Sequence, residues 1–400
     1  MFKTKILTVL MLMLMCAGSA FAFKPIDLGD GKYLQFFYDA QFGYTGRNTG
    51  SGDTGEDDTN EFNFRRNRIG FIGTYNDQLS FYVQTEYVED KNINPLYVDI
   101  SDDDSQNFYL LDAQIRYTPY ENFDIVLGKF KHSLTRENLE GCFNPLTLDR
   151  SFFVYAPFKT SRDKGIGARA EFLDDMIQVR GEIQEGRTGD ASEGSPDPGS
   201  NLRYTGRVHF SFFDKESGYG YKGTYFGQKT VLTAGASYQY EADAVYADVD
   251  NLEDAKDYKA YSYDIFGELP TKAGVFTLSA AYLDVDFDDA YKSTDSDVNS
   301  YGLNGQRDGY YVKAGYMLPF NVGPGKVQFF GRYDSFDFAK LNGYEDNSVD
   351  FMAAGVNYYI DEDKIKLTAQ YSKTDFDKEV GSDTNSQDFD TVELYMQVRF

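Results

Sequence analysis

The 400-residue sequence has no tryptophan, two cysteines, two histidines and ten prolines. Two cysteines cannot build a disulfide framework, and neither stands at the spacing of a metal finger or a haem attachment site. The histidines, His132 and His209, stand in no catalytic motif. No enzyme activity, metal or cofactor is therefore expected. Basic residues are also scarce: 39 Lys and Arg face 64 Asp and Glu, a formal net charge of -25. Such a chain lacks the positive field that holds a phosphate backbone, so no nucleic-acid partner is expected. After residue 22 there is no long apolar run, and the mean hydropathy of -0.51 excludes a bundle of membrane helices. It does not exclude a membrane β-barrel, whose strands need an apolar residue only at every second position.

What is present begins with a leader. "MFKTK" is a basic start, "ILTVLMLMLMC" is an apolar stretch too short to span a bilayer, and "AFA" at 20–22 supplies small residues for cleavage. The expected division is a signal peptide over 1–22 and one exported domain over 23–400. Cys16 leaves with the leader, only Cys142 remains, and an intrachain disulfide is ruled out.

The sequence carries 33 Tyr, 34 Phe and 37 Gly, a composition that favours strands and turns. Period-two alternation recurs from residue 33 onward. Leu34, Phe36, Tyr38, Ala40, Phe42 and Tyr44 share one face. Ile365, Leu367, Ala369 and Tyr371 alternate with Lys364, Lys366, Thr368 and Gln370. Strands are predicted near 33–44, 61–75, 78–88, 106–117, 123–131, 164–173, 176–185, 201–213, 221–241, 257–269, 273–284, 309–318, 325–335, 348–360, 363–373 and 388–400. That makes sixteen, an even number. Tight turns such as Asn76-Asp77, Asp174-Asp175 and Asp361-Glu362 alternate with the polar segments 45–60, 89–105, 132–163, 186–200, 242–256, 285–308, 336–347 and 374–387. Short turns at one end and long loops at the other are the mark of an outer-membrane barrel. The closing "TVELYMQVRF" alternates apolar residues up to Phe400, a pattern that resembles the recognition signal of the barrel-assembly machinery. Tyr44, Tyr75, Tyr87, Tyr117, Tyr240, Tyr316 and Tyr371 suit an interfacial girdle. The expected fold is an all-β, 16-stranded antiparallel transmembrane barrel in the outer membrane of a Gram-negative cell, among lipid and lipopolysaccharide.

Charge is unevenly placed. The seven long loops other than 132–163 hold 31 acids against 8 bases, so nearly all the negative charge lies outside the barrel wall. Inside the wall, the run "FNFRRNRIGFIGTY" (62–75) puts arginines in a strand. A charged side chain facing lipid near the midplane costs about 2–4 kcal/mol, so alternation sends charges inward. Parity then places Arg66, Arg68, Arg116, Arg169, Arg180, Arg203, Arg207, Lys313, Arg332 and Lys366 on a lumen face, with His209. Arg65 has the opposite parity, which requires either a rim position or a bulge. Guanidinium is permanently charged and suits oxyanions. Asp39, Glu86, Asp112, Glu171, Glu182, Asp264, Glu268, Asp334 and Glu393 also point inward, so some pairs brace the wall.

The segment "LLDAQIRYTPYENFDIVLGKFKHSLTRENL" (110–139), with "TLDRSF" (147–152), resembles the phosphate-selective porin O/P family. Asp112, Ala113, Arg116 and Tyr117 match its first strand motif. Gly128, Phe130, Lys131, Thr135 and Glu137 match or replace its next, while Lys129 and Ser133 stand where the family has Gln and Pro. "FRRNRIGFIG", "GYYVKAGYML" and "FFGRYDSFD" look like family strands. The resemblance implies a homotrimeric porin passing small anions, phosphate or similar oxyanions, with the third loop folded inward to narrow the pore. In that loop Lys131, Arg136, Arg150, Lys159 and Arg162 are the implied constriction cations, and "SFFVYAPF" (151–158) suits burial in the barrel. The alternatives are a weakly selective general porin, or a barrel for another oxyanion or an acidic organic solute.

Overall fold

A computed structural model describes residues 23–51, 57–88, 107–158, 161–188, 197–216, 220–288, 290, 305–341, 344–378 and 388–400. The expected signal peptide, the 89–105 loop and Lys159 lie outside the described residues.

Every backbone N–H and C=O at membrane depth needs a partner, and a closed sheet supplies them all. The strands are β1 (Ile26–Gly29), β2 (Lys32–Ser51), β3 (Asp57–Thr74), β4 (Leu79–Val88), β5 (Asn107–Tyr120), β6 (Phe123–Lys131), β7 (Arg162–Phe172), β8 (Ile177–Gln184) and β9 (Arg203–Ser211). They continue with β10 (Val231–Asp248), β11 (Glu253–Thr271), β12 (Gly274–Asp286), β13 (Arg307–Met317), β14 (Lys326–Leu341), β15 (Tyr344–Asp361), β16 (Ile365–Phe376) and β17 (Phe389–Arg399). From β2 onward each pairs antiparallel with the next, and β17 returns to β2 through Leu394 opposite Tyr44 and Met396 opposite Phe42. The result is the expected closed barrel of sixteen long strands. β1 pairs with β2 only at its start, Ile26 opposite Leu34. The Phe400 N–H donates to the Tyr38 carbonyl at 2.9 Å, so β1 and β17 lie end to end along one edge of β2.

The two faces follow the alternation. In β9, Arg203, Thr205, Arg207, His209 and Ser211 are buried inside, while Tyr204 and Val208 are half exposed outside. Leu278, Phe276, Tyr263 and Ile265 face outward in the same way on β11 and β12. Such alternation gives a lipid-facing wall around a polar interior.

Three segments read as loops are instead largely strand. β2 and β3, β10 and β11, and β14 and β15 run on through 45–60, 242–256 and 336–347 as extended hairpins. In the second and third the inward residues are apolar: Val245, Ala247, Phe336, Phe338, Leu341 and Val349 join one buried cluster inside the barrel, whereas the first buries Thr45, Arg47 and Thr59. Burying those apolar side chains stabilises the latter two hairpins, and the ladder satisfies the backbone of all three.

The largest departure lies between β9 and β10. The strand expected over 221–241 starts only at Val231, and 212–230 connects the two strands on the side where every other connection is tight. Tyr221, Gly223, Tyr225 and Gly227 mimic a strand pattern. Yet Phe226 and Gly227 in succession have left-handed φ, 58° and 75°, which breaks an extended run. This segment turns back into the barrel.

The third loop, between β6 and β7, also lies inside. It carries a short helix α1 (Arg136–Leu139), whose first turn is capped by Thr135 Oγ1 accepting from the Asn138 N–H at 3.1 Å. Its path is fixed by contacts to walls all round the lumen. The Ser133 N–H donates to Glu182 on β8 at 2.9 Å, and Ser151 Oγ donates to Asp334 on β14 at 2.6 Å. Asn357 on β15 donates to the Leu146 carbonyl at 2.8 Å, and Gln397 on β17 donates to that of Phe143 at 3.0 Å. Phe153 packs between Phe336 and Phe338, with ring centroids 4.8 and 6.0 Å away.

Candidate functional site

The lumen is the candidate site, and β3 explains how its arginines enter it. In the β2–β3 ladder Gln41 pairs with Arg66 but Phe42 pairs with Phe64, so Arg65 is the extra residue of a β-bulge. The bulge turns Arg65 inward beside Arg66. Both reach Asp149 of the third loop, Arg65 Nε at 3.0 Å and Arg66 Nη2 at 2.8 Å. Arg65 also contacts Glu393 on β17 at 3.0 Å. Of the two positions parity allowed for Arg65, the structure has the bulge.

The remaining inward arginines are mostly paired. Arg68 makes a two-pronged contact with Glu86, at 2.8 and 3.0 Å. Arg207 does the same with Asp264, at 2.6 and 2.8 Å. Arg203 meets Glu241 at 2.7 Å, Arg169 meets Asp124 at 2.8 Å, and Arg332 meets Asp334 at 2.8 Å. Lys313 contacts Glu137 of α1. Arg180 donates to Gln178 at 2.8 Å, and Lys366 to the Phe143 carbonyl at 3.4 Å. The geometry therefore uses most of these cations to brace the wall and to hold the third loop.

The constriction candidates divide. Arg162, first residue of β7, meets Asp112 at 3.0 Å. Lys131 donates to the Glu140 carbonyl, and Arg150 Nη1 to that of Asn138 at 3.0 Å. Arg136 is fully buried between Glu140 of its own loop and Glu216 of the 212–230 segment, with Phe266 3.8 Å from its guanidinium carbon. A cation so enclosed is out of reach of a passing solute. Tyr221, which with Glu216 holds it, lies at the start of the segment expected as strand, and Glu216 lies in the connection before it.

Open space lies on the side of β2 to β5. A cavity of about 410 Å³ is lined by Arg68, Arg116, Lys131, Arg162, Lys222 and Arg399 against Asp39 and Asp112, a formal excess of four positive charges. Ile72, Tyr82 and Phe143 supply apolar wall. On the opposite side, inside the outer half of β10 to β16, the apolar cluster around Phe153 fills the barrel. The open space beside β2 to β5 is therefore off-centre with a basic wall, while a second cavity of about 500 Å³ against β12 to β15 is acidic, lined by Asp284, Asp286, Asp308, Asp337 and Asp346 with Arg307. Cys142 faces the basic cavity. Burial alone would raise its thiol, but Arg150, Arg68, Lys131 and Arg162 hold it well below the usual thiol range. Burial pushes the Glu140 carboxyl up to about 7, against the pull of Arg136. Burial alone would raise the Glu216 carboxyl, but Arg136, His209 and the Tyr225 hydroxyl together hold it below the usual carboxylate range. The histidines are enclosed: His209 stacks on Tyr221 with centroids 4.8 Å apart, and His132 is buried beside Asn138.

The barrel matches solved porins closely in extent and weakly in sequence. OmpF of Salmonella typhi, in complex with daunomycin, superimposes with a TM-score of 0.59 at 14% identity, over 94% of this chain and 100% of that one. An anion-selective porin from Comamonas acidovorans gives 0.55 at 11%, over 92% and 100%. In-vitro folded OmpT of Vibrio cholerae, described as a trimer form, gives 0.52 at 12%, over 93% and 100%. At such identities the likeness is one of fold. No curated protein matches the sequence. A family model does, continuously from within β2 to the last residue, 36–400, and its description is phosphate-selective porin O and P. The chain belongs to that family.

Proposed function

We propose that this outer-membrane porin gives passive, anion-preferring diffusion to phosphate or similar oxyanions, with no chemical step. One observation carries the reading: the cavity beside β2 to β5, which the third loop borders, has six cations on its wall and two carboxylates. In a narrow, low-dielectric aperture such an excess raises the local anion concentration and replaces part of the hydration shell. Arg68, Arg116, Lys131 and Arg162 are the proposed pore-lining contacts. Arg66, Arg169, Arg180, Arg203, Arg207, Lys313, Arg332 and Lys366 shape the field from behind their partners. The barrel assembles as a homotrimer, as the OmpT structure is described, and Phe400 is its signal to the barrel-assembly machinery.

The pairing of wall arginines with Glu86, Asp264, Glu241 and Asp334 favours a second reading, a weakly selective general porin. Reversal potential across a KCl gradient in a planar bilayer separates the two. The first reading expects chloride preference and block of the current by millimolar or lower phosphate. A cation-selective potential, or none without phosphate block, leaves the general porin.

A further inference from the structure

The third loop does not hold its place alone. From the opposite end of the barrel residues 220–230 rise to meet it, and Tyr221 to Gly223 run beside Leu139 to Asn144. The Tyr221 N–H donates to the Leu139 carbonyl at 3.4 Å, and the Gly223 N–H to that of Asn144 at 2.9 Å. Glu140 and Tyr221 form a parallel bridge. At Gly223 a Cβ would sit 2.7 Å from the Pro145 carbonyl carbon and 2.8 Å from the Asn144 oxygen, and closer still to the Leu146 nitrogen. Only glycine lets the two backbones approach so far.

Side chains fasten the contact. Arg136 donates to Glu140 and Glu216, one carboxylate from each segment, and to the Lys222 carbonyl at 3.0 Å. Glu216 also accepts from Tyr225 Oη at 2.7 Å and from Thr233 Oγ1 at 3.1 Å. The far end is tied to the wall: Glu268 on β11 accepts from Thr224 Oγ1 at 2.8 Å and from the N–H groups of Tyr225 and Gly227 at 2.8 and 2.9 Å. Tyr221 Oη donates to Gln178 on β8 at 2.7 Å.

We infer that Glu216, Tyr221 and Gly223 are positioning residues of the pore: they form a periplasmic-side clasp that holds the third loop and sets the size of the aperture. The inference rests on the porin reading. The wall contacts hold the loop from its sides; the clasp adds a grip from the other end of the barrel, which fixes its clearance there. The clasp borders the basic cavity, where Leu139, Gly141, Cys142 and Phe143 of the loop face Gly220, Tyr221 and Lys222. Loosening it moves that wall.

Glu216→Gln keeps the shape and removes the charge that grips Arg136. In planar bilayers this variant is expected to show about twofold larger single-channel conductance, with stepwise fluctuations absent from the parent. The second readout needs no current: Cys142 in folded barrels is labelled by an anionic methanethiosulfonate, and the rate rises several-fold in Glu216→Gln. Tyr225→Phe, which removes one hydrogen bond to Glu216, shifts both readouts in the same direction by less, and stands in if Glu216→Gln does not fold. Heat-resistant migration on gels establishes folding. Unchanged conductance and unchanged labelling in folded variants overturn the clasp. A parent barrel that passes no current overturns the porin reading instead, and labelling then decides the clasp by itself.

Discussion

Arg66 Nη2 lies 2.8 Å from Asp149 Oδ1, so a wall arginine of β3 and a carboxylate of the third loop are joined across the lumen. Arg65 shares the same carboxylate through the bulge. Asp149 thus cancels part of two guanidinium charges. Asp149→Asn releases that charge into the pore and is expected to move the KCl reversal potential toward stronger chloride preference. A shift toward potassium would show that the two arginines do not act on the permeating ion.

Arg68 and Glu86 are buried together, and removing one partner of such a pair costs about 3–5 kcal/mol because the other charge is left unmatched. Arg68→Ala should therefore lower the temperature at which the barrel loses heat-resistant migration, and should shift selectivity toward cations. The double variant Arg68→Ala/Glu86→Ala should regain most of the stability. Equal losses in the single and double variants would rule out the pair as a mutual brace.

Glu140 titrates near pH 7 because burial disfavours its charged form, although Arg136 opposes the effect. Glu137, Glu216 and Lys313 also face it. An acid whose value is raised in the folded state stabilises it at low pH. That contribution declines as pH rises from the ordinary carboxylate value to about 7 and is constant above. Below pH 7 the lumen also has one negative charge fewer. Chloride preference should therefore grow as pH falls from about 8 to about 6. Glu140→Gln should flatten the curve, and a curve identical to that of the parent would assign the titration elsewhere.

Cys142 sits among Arg150, Arg68, Lys131 and Arg162, which favour its thiolate. The same cations attract anions. Methanethiosulfonate reagents bearing a sulfonate should modify it faster than those bearing a trimethylammonium group, by about tenfold or more at low salt, with the gap closing as salt rises. Equal rates at low salt would mean that the cavity does not concentrate anions.

The long strands and the inward direction of their arginines were legible because lipid enforces alternation: a single misplaced charge costs several kcal/mol. Even the bulge was foreshadowed, since Arg65 broke the parity that Arg66 and Arg68 kept. The clasp was not legible. Arg136 and Glu216 lie 80 residues apart, and nothing local joins them. The Tyr-Gly alternation of 221–227 meets the same period-two rule as a strand and differs only in φ, which sequence does not display. The hairpin beyond 336 carried its signal in the inward Phe336, Phe338 and Val349 and that beyond 242 in Val245 and Ala247, whereas the one beyond 45 buries Thr45, Arg47 and Thr59 and had no apolar signal. Pairing also limited the site. Parity identified the lumen arginines, but which of them reach open space depends on whether a carboxylate of the same strand, another strand or the third loop meets them, as Glu86 meets Arg68 and Asp149 meets Arg66.

The seam of the barrel has a consequence for its birth. Ring closure joins β2, the first long strand, to β17, the last, and β1 occupies the remainder of the same β2 edge. Until β17 docks, the nascent sheet exposes two raw edges, each able to pair with a neighbouring chain. The short β1 hairpin covers one end of that edge from the outset and leaves a berth that begins at Tyr38, where Phe400 comes to rest. It bounds the berth of the closing strand on that side, since β1 takes the β2 edge from Leu34 back to Lys32, while a slide of one residue in either direction would turn the apolar row of β17 away from lipid.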